Sequence, residues 1–228
     1  GIEKIIYKNL IIQHQQDSFA RLFYSNPVAT IITFSTIVIV AFGFVFVSLY
    51  SHKLKQKNNT IKKVIDISCR DSMTGLYNRM SFEKMVQDSL DKSGINNTFI
   101  MVDIDEFKGI NDIFGHLAGD KVIITIADII KNNFRSCDFI CRMGGDEFAV
   151  FIANNLPKNI TESKMKSLID NFKDDLDIYG NKIPVKISVG VLVNEQEIKD
   201  FKQLYTLADS TLYMAKHSGK NKFIIKEI

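Results

Sequence analysis

Two acidic clusters carry the clearest chemical signal in the sequence. Asp103-Ile104-Asp105 closes an apolar run, residues 97–103, that suits a buried strand. Asp146-Glu147 follows Gly144-Gly145 between two further apolar runs, which reads as the turn of a hairpin. Acids at strand ends and hairpin tips are reachable from solvent and held by rigid backbone. If the two strands are neighbours, their tips meet and offer oxygen ligands to a hard cation such as Mg²⁺. Gly144 and Gly145 let a backbone or a phosphate come close. The same acids also suit ordinary turns, where Asp and Gly are common.

The elements that must position these acids alternate in period. Residues 81–93 read as a helix, 110–114 as a short helix and 119–134 as a long one. The long one carries an apolar stripe of Val122, Ile123, Ile126, Ile129 and Ile130. Residues 139–143 and 147–153 read as the hairpin strands, 163–176 as a helix and 183–193 as a β-branched strand run. Residues 201–217 form a helix with Leu204, Leu207, Ala208, Thr211, Leu212 and Ala215 on one face, and 222–226 a last strand. A hairpin among helix-separated strands predicts an α/β fold with a mixed sheet flanked by helices.

The N-terminal part follows different rules. Residues 22–51 contain no Asp, Glu, Lys or Arg, and 28–50 read VATIITFSTIVIVAFGFVFVSLY. A bilayer core needs roughly 20 apolar helical residues, so 28–50 is expected to be one transmembrane helix. Lys53, Lys55, Lys57, Lys62 and Lys63 follow it, whereas the nearest base before it, Arg21, is offset by Asp17. The charge bias places the C-terminal part in the cytoplasm. Residues 1–27 are then an extracytoplasmic tail of a missing sensor region, consistent with a chain that starts at Gly1 and reads as a fragment. Residues 51–70 form a polar helical linker. Leu54, Ile61 and Ser68, with Asn58 and Ile65 between them, make either a short coiled-coil seam or a solvated helix. The net charge of +3 gives no case for nucleic acid as a partner. Cys69, Cys137 and Cys141 read as free thiols, since an odd count builds no disulfide framework.

The residues also carry a family resemblance. Arg142-Met-Gly144-Gly145-Asp146-Glu147-Phe148 contains the GGDEF string unaltered. Asp71 through Arg79 is similar to the entry motif of that family, and Asp103 through His116, followed by Gly119-Asp120, to its central motif. Ser188-Val-Gly190, Ala208-Asp209 and the stretch from Leu212 to Asn221 are similar to its C-terminal motifs. The chain from 71 to 228 thus resembles a GGDEF-family diguanylate cyclase, a membrane-anchored sensor type of the bacterial inner membrane. The resemblance implies a palm-like fold shared with nucleotide cyclases and polymerases. It also implies condensation of two GTP into cyclic di-GMP and two pyrophosphates by a homodimer.

The same resemblance assigns roles. Asp103, Asp146 and the Ile104 carbonyl would ligate Mg²⁺, with Mn²⁺ as a substitute. Glu147 would be a further ligand or would help deprotonate the ribose 3′-hydroxyl. Asn111 and Asp120 would read guanine, with Phe107 and His116 on the substrate side; for His116, packing or capping is favoured over catalysis. Lys108, Lys216 and Lys220 would hold the β- and γ-phosphates. Lys220 stands where many relatives have Arg, which keeps the charge but loses the fork. Arg135-Ser-Cys-Asp138 has the RxxD form of the family's product-inhibition site, with Arg142 assisting; a surface ion pair would look the same in sequence. The competing reading is a GGDEF domain without turnover that binds GTP or cyclic di-GMP.

Overall fold

The computed structural model describes residues 2–93 and 95–228; for residues 2, 3, 19, 22–25 and 58–67 it describes the helical backbone alone. The chain divides into two units, Gly1–Val64 and Ile65–Ile228.

The first unit holds helix α1 (Ile2–Ser25) and most of helix α2 (Pro27–Ser68). Residues 1–27, read as a tail, are therefore helical for most of their length. Asn26 and Pro27 begin α2 as a cap and a first-turn proline do: the Asn26 Oδ1 accepts from the Ala29 N–H at 3.5 Å. Within the segment Pro27–Lys57 the most apolar 18-residue window has a mean hydropathy of 2.5, and none of that window is buried. It is long and apolar enough to cross a membrane. Its hydroxyls look inward to their own helix: Thr33 donates to the Thr30 carbonyl at 2.9 Å, Ser35 to Ile32 at 2.9 Å and Thr36 to Thr33 at 2.8 Å. That spares the apolar surface unpaired donors. Of the seam expected in the linker, Asn58, Ile61 and Ile65 have side chains outside the described residues.

The second unit is a six-stranded mixed sheet between helices. Its strands are β1 (Tyr77–Asn78), β2 (Asn97–Ile104), β3 (Phe139–Gly144), β4 (Glu147–Ile152), β7 (Ile187–Asn194) and β8 (Phe223–Glu227), in the order β1-β3-β4-β2-β7-β8. The central strand β2 is antiparallel to both β4 and β7, and the outer pairs β1–β3 and β7–β8 are parallel. The helices are α3 (Arg79–Leu90), α4 (Phe107–Phe114), α5 (His116–Asn133), α6 (Lys158–Asp170) and α7 (Phe201–His217).

Strand periodicity divides the core in two. Ile100, Val102 and Ile104 of β2 pack with Val122, Ile126 and Ile130 of α5. Phe99 and Met101 face the other way, against Phe82 and Val86 of α3 and Leu204 and Leu212 of α7. Period two puts Asp103 on this second face, the one covered by α7. The helix α7 lies unusually close to the sheet at Gly190, where an added Cβ would come within 2.2 Å of the Leu212 nitrogen. Only a residue without a side chain fits there.

Two expectations need correction. The run 183–193 is not one strand. Residues Asn181–Ile183 form β6, which pairs with β5 (Leu176–Ile178) in a separate hairpin. Tyr179 and Gly180 turn that hairpin at φ +54° and +80°, and Pro184, which has no N–H, separates β6 from β7. The helix expected over 163–176 is α6, which starts at Lys158 behind Pro157 and ends at Asp170. The two-residue strand β1 is parallel to β3 and was not read from the sequence. All three cysteines are free.

Candidate active site

The two acidic clusters meet. Across the β2–β4 pair Asp103 stands directly opposite Glu147, and the Ile104 N–H donates to the Asp146 carbonyl at 3.4 Å. The turn between β3 and β4 runs through Gly144 at φ +153° and Gly145 at φ +56°, conformations that side chains disfavour. Arg142 holds this turn from behind. Its Nε and Nη2 donate to the Gly145 carbonyl at 2.9 and 2.7 Å, and its Nη1 lies 3.3 Å from Asp71 Oδ1. Asp71 in turn accepts from the Thr74 N–H and hydroxyl at 2.9 and 2.7 Å. The entry motif thus buttresses the Gly-Gly turn.

Asp103 is nearly buried, and Lys216 of α7 reaches its Oδ2 at 2.7 Å. Burial pushes the Asp103 carboxyl up to about 6, with the Asp146 and Glu147 charges adding to it, even though Lys216 pulls the other way. Desolvation therefore outweighs the ion pair. Glu147 is also raised, by burial first and then by the charges of Asp146 and Asp209, against Lys216 and Arg79. Carboxylates crowded at the ends of two strands with one ammonium beside them are a donor set for a hard divalent cation. Among the described residues no three acidic, His or Cys side chains are gathered as a ligand cluster.

Asp105 does different work from Asp103. It is buried; its Oδ1 accepts from the Ser188 hydroxyl at 2.7 Å and its Oδ2 from the Asn221 N–H at 2.9 Å. Next to it Glu106 Oε1 holds the Lys220 Nζ at 3.0 Å. Sequence reasoning grouped Asp105 with the acids and passed over Glu106 and the hydroxyl of Ser188. Ser188 stands in the Ser188-Val-Gly190 motif, but its placement beside the acids shows only in the strand register, which pairs it with Asp103.

Helices α4 and α5 meet at a break on Gly115, φ +83°. Asn111 lies against Gly119: a Cβ there would sit 1.9 Å from the Asn111 Oδ1 and 3.3 Å from the Phe107 ring. Gly119 therefore makes room for the Asn111 amide, one residue before the half-buried Asp120. Lys108 and His116 are exposed.

At the far end of α5 the Asp138 carboxylate accepts the Arg135 backbone N–H at 2.8 Å, and the Asp138 N–H donates to the Arg135 carbonyl at 3.0 Å. Among the described residues no ion pair joins the two side chains. The acid closes the turn and the guanidinium is left exposed. Lys164 of α6 bonds the Asn133 carbonyl and lies over the Phe134 ring, 4.8 Å from its centre.

A family model described as diguanylate cyclase, GGDEF domain, matches residues 68–222. The chain belongs to the GGDEF family. Among relatives, YtrP of Bacillus subtilis is 37% identical over 161 residues, covering 69% of this chain and 26% of that protein. The probable diguanylate cyclase DgcC of Escherichia coli K12 is 31% identical over 205 residues, covering 88% and 54%. The chain therefore spans about half or less of these relatives. The coiled coil and GGDEF domain of DgcB from Caulobacter crescentus shares the fold at a TM-score of 0.71 and 21% identity, covering 79% of this chain and 97% of that one.

The GGDEF domain brings together Asp103, Ile104, Asp146, Glu147 and Lys216 at one end of the sheet. Lys220 lies one turn beyond α7, on Glu106. Asn111, Phe107 and Asp120 share the α4–α5 junction. Arg142 is not directed at Arg135 and Asp138: its donors are spent on Asp71 and the Gly145 carbonyl.

Proposed function

We propose that the chain is a diguanylate cyclase that joins two GTP into one cyclic di-GMP and releases two pyrophosphates. The observation that carries this reading is the facing pair Asp103–Glu147, with Lys216 on Asp103, beside an unaltered Gly-Gly-Asp-Glu turn.

Asn111 and Asp120 hold the guanine edge through an amide and a carboxylate, which match its acceptors and donors. Lys216 and Lys220, with Lys108, neutralise the β- and γ-phosphates and the charge that develops on the leaving pyrophosphate. Asp103, Asp146, Glu147 and the Ile104 carbonyl would hold Mg²⁺, which supplies Lewis acidity at the α-phosphate and lowers the 3′-hydroxyl pKa. Glu147, its carboxyl raised by burial, is suited to accept the hydroxyl proton. The ribose 3′-oxygen then bonds to the α-phosphorus of the other GTP, the bond to the bridging oxygen breaks, and pyrophosphate leaves. A second such step closes the ring. Each domain holds one GTP, so two domains must face each other and turnover depends on a homodimer.

The remaining assignments complete the proposal. Residues 28–50 span the inner membrane, 1–27 lie outside, and the linker 51–70 carries the cytoplasmic domain 71–228. The exposed Arg135 guanidinium, with Asp138, binds cyclic di-GMP and slows the enzyme. Asp146→Asn tests the site: it keeps the shape and removes a charge. Cyclic di-GMP formation by the full chain in detergent should fall at least a hundredfold with the fold intact, since metal polarisation contributes several kcal/mol. Near-normal turnover at saturating Mg²⁺ removes Asp146 from the site.

A further inference from the structure

Two loops face each other beside the acid pair, and their contacts take no part in the chemistry above. Of the five non-glycine residues with positive φ among those described, three lie here: Glu106 at +57°, Lys220 at +59° and Asn221 at +48°. Asn tolerates left-handed backbone, but at Glu106 and Lys220 it is costly and persists only where the surroundings impose it. The surroundings here are specific. The buried Asp105 carboxylate takes the Asn221 N–H at one oxygen and the Ser188 hydroxyl at the other. The Asp105 N–H donates to the Lys186 carbonyl at 2.9 Å, and the Lys220 N–H to the Ala215 carbonyl at 3.3 Å. Asp105 therefore ties the end of β2, the start of β7 and the turn after α7 into one piece. Glu106 then meets the Lys220 ammonium at 3.0 Å.

We infer that Asp105 and Glu106 form a clasp on Lys220: Asp105 is a positioning residue that fixes the turn carrying Lys220, and Glu106 is a resident counter-ion that a nucleoside triphosphate must displace. The inference rests on the proposed role of Lys220 as a phosphate ligand. The Lys220–Glu106 pair is exposed on both sides, 45% and 77%, and such a pair is weak. A triphosphate carries several charges and can displace it. A cavity of about 380 Å³ opens beside the clasp, bordered by Glu106, Lys186 and Lys220, so the Glu106 side chain can swing away without repacking the core. The clasp keeps the ammonium extended over the site before substrate arrives, at the expense of some substrate affinity.

The test measures binding of 3′-deoxy-GTP, which lacks the attacking hydroxyl, and of guanosine, which lacks phosphates, to the full chain in detergent with Mg²⁺. Glu106→Gln should tighten 3′-deoxy-GTP about twofold to fivefold at low salt, the range an exposed ion pair allows. The gain should shrink at high salt and vanish in a Lys220→Ala background, and guanosine affinity should stay unchanged. Asp105→Asn turns an acceptor into a donor and faces it to a donor. It should weaken 3′-deoxy-GTP about tenfold or more while guanosine still binds, because the α4–α5 junction is untouched. Equal loss of both ligands would make Asp105 merely a folding residue. If wild type binds 3′-deoxy-GTP and Glu106→Gln leaves it unchanged or weaker, the clasp is wrong although the cyclase reading stands. If neither wild type nor Glu106→Gln binds 3′-deoxy-GTP, the cyclase reading falls and takes the clasp with it.

Discussion

Asp103→Asn should make the protein more stable and inactive at once. Asp103 is 6% exposed, and its carboxyl is held at about 6 against an ordinary 3.8. At 1.36 kcal/mol per tenfold, keeping it ionised at neutral pH costs the fold about 3 kcal/mol. The sign follows from the proton count. The native side chain holds its proton to a higher pH than the unfolded one, so the stability it contributes is complete below about pH 4 and is lost as pH rises through 6. An amide never ionises and avoids the loss. Its substitution leaves Lys216 without its acid, but that ammonium is 33% exposed and water can serve it, so about 1–3 kcal/mol of gain should survive. For a unit of this size, that raises the melting temperature by about 3–10 °C. The assay is thermal unfolding of both proteins in chelator across pH 4.5–7.5. The advantage of Asp103→Asn should be small at the acid end and largest above pH 7. Added Mg²⁺ should then stabilise the wild type and not the variant. A variant no more stable than wild type at pH 7.5, or one whose advantage grows toward acid, would show that Asp103 is not held ionised at a cost to the fold.

Three further outcomes follow from other parts of the molecule. Gly119→Ala should displace the Asn111 amide, which a Cβ would meet at 1.9 Å. Because that amide is the end of a side chain, the KM for GTP should rise about tenfold, as loss of a hydrogen bond at the base implies, with little change in melting temperature. Arg135→Ala should leave initial rates near wild type and abolish the slowing of progress curves as cyclic di-GMP accumulates; it removes a charge-assisted contact of about 1.5–3 kcal/mol, roughly ten- to hundredfold in product affinity. Wild-type curves that never slow would assign the turn a purely structural role. In intact cells a cysteine at Ser18 should react with an impermeant reagent and one at Lys57 should not; the reverse pattern would overturn the charge-bias orientation.

Some of this was legible in the residues and some was not, for physical reasons. The helix at 201–217 was readable to its ends because its apolar stripe has one clear period, and β2 because a fully buried strand is a run of apolar residues. The Gly-Gly pair announced the hairpin and its acids. The parallel strand β1 is two residues long, too short to show a period. The β5–β6 hairpin was hidden by β-branched residues continuing past Pro184. Asp103 and Asp105 look equivalent in sequence. They part because β2 ends at Ile104, leaving Asp103 under α7 and turning Asp105 to Ser188 and Asn221. Nearness in sequence to Arg135 likewise gives no hint that Arg142 pairs with the Asp71 carboxylate from across the fold.

Turnover of GTP by this chain can be measured directly. The full chain in detergent is incubated with GTP and Mg²⁺, and the mixture is resolved by chromatography and mass. Cyclic di-GMP should form with two pyrophosphates per molecule, and its formation should be competed by GTP analogues and not by ATP. Bound but unreacted GTP at saturating Mg²⁺, under conditions where the chain is dimeric, would contradict it and leave a nucleotide-binding module in its place.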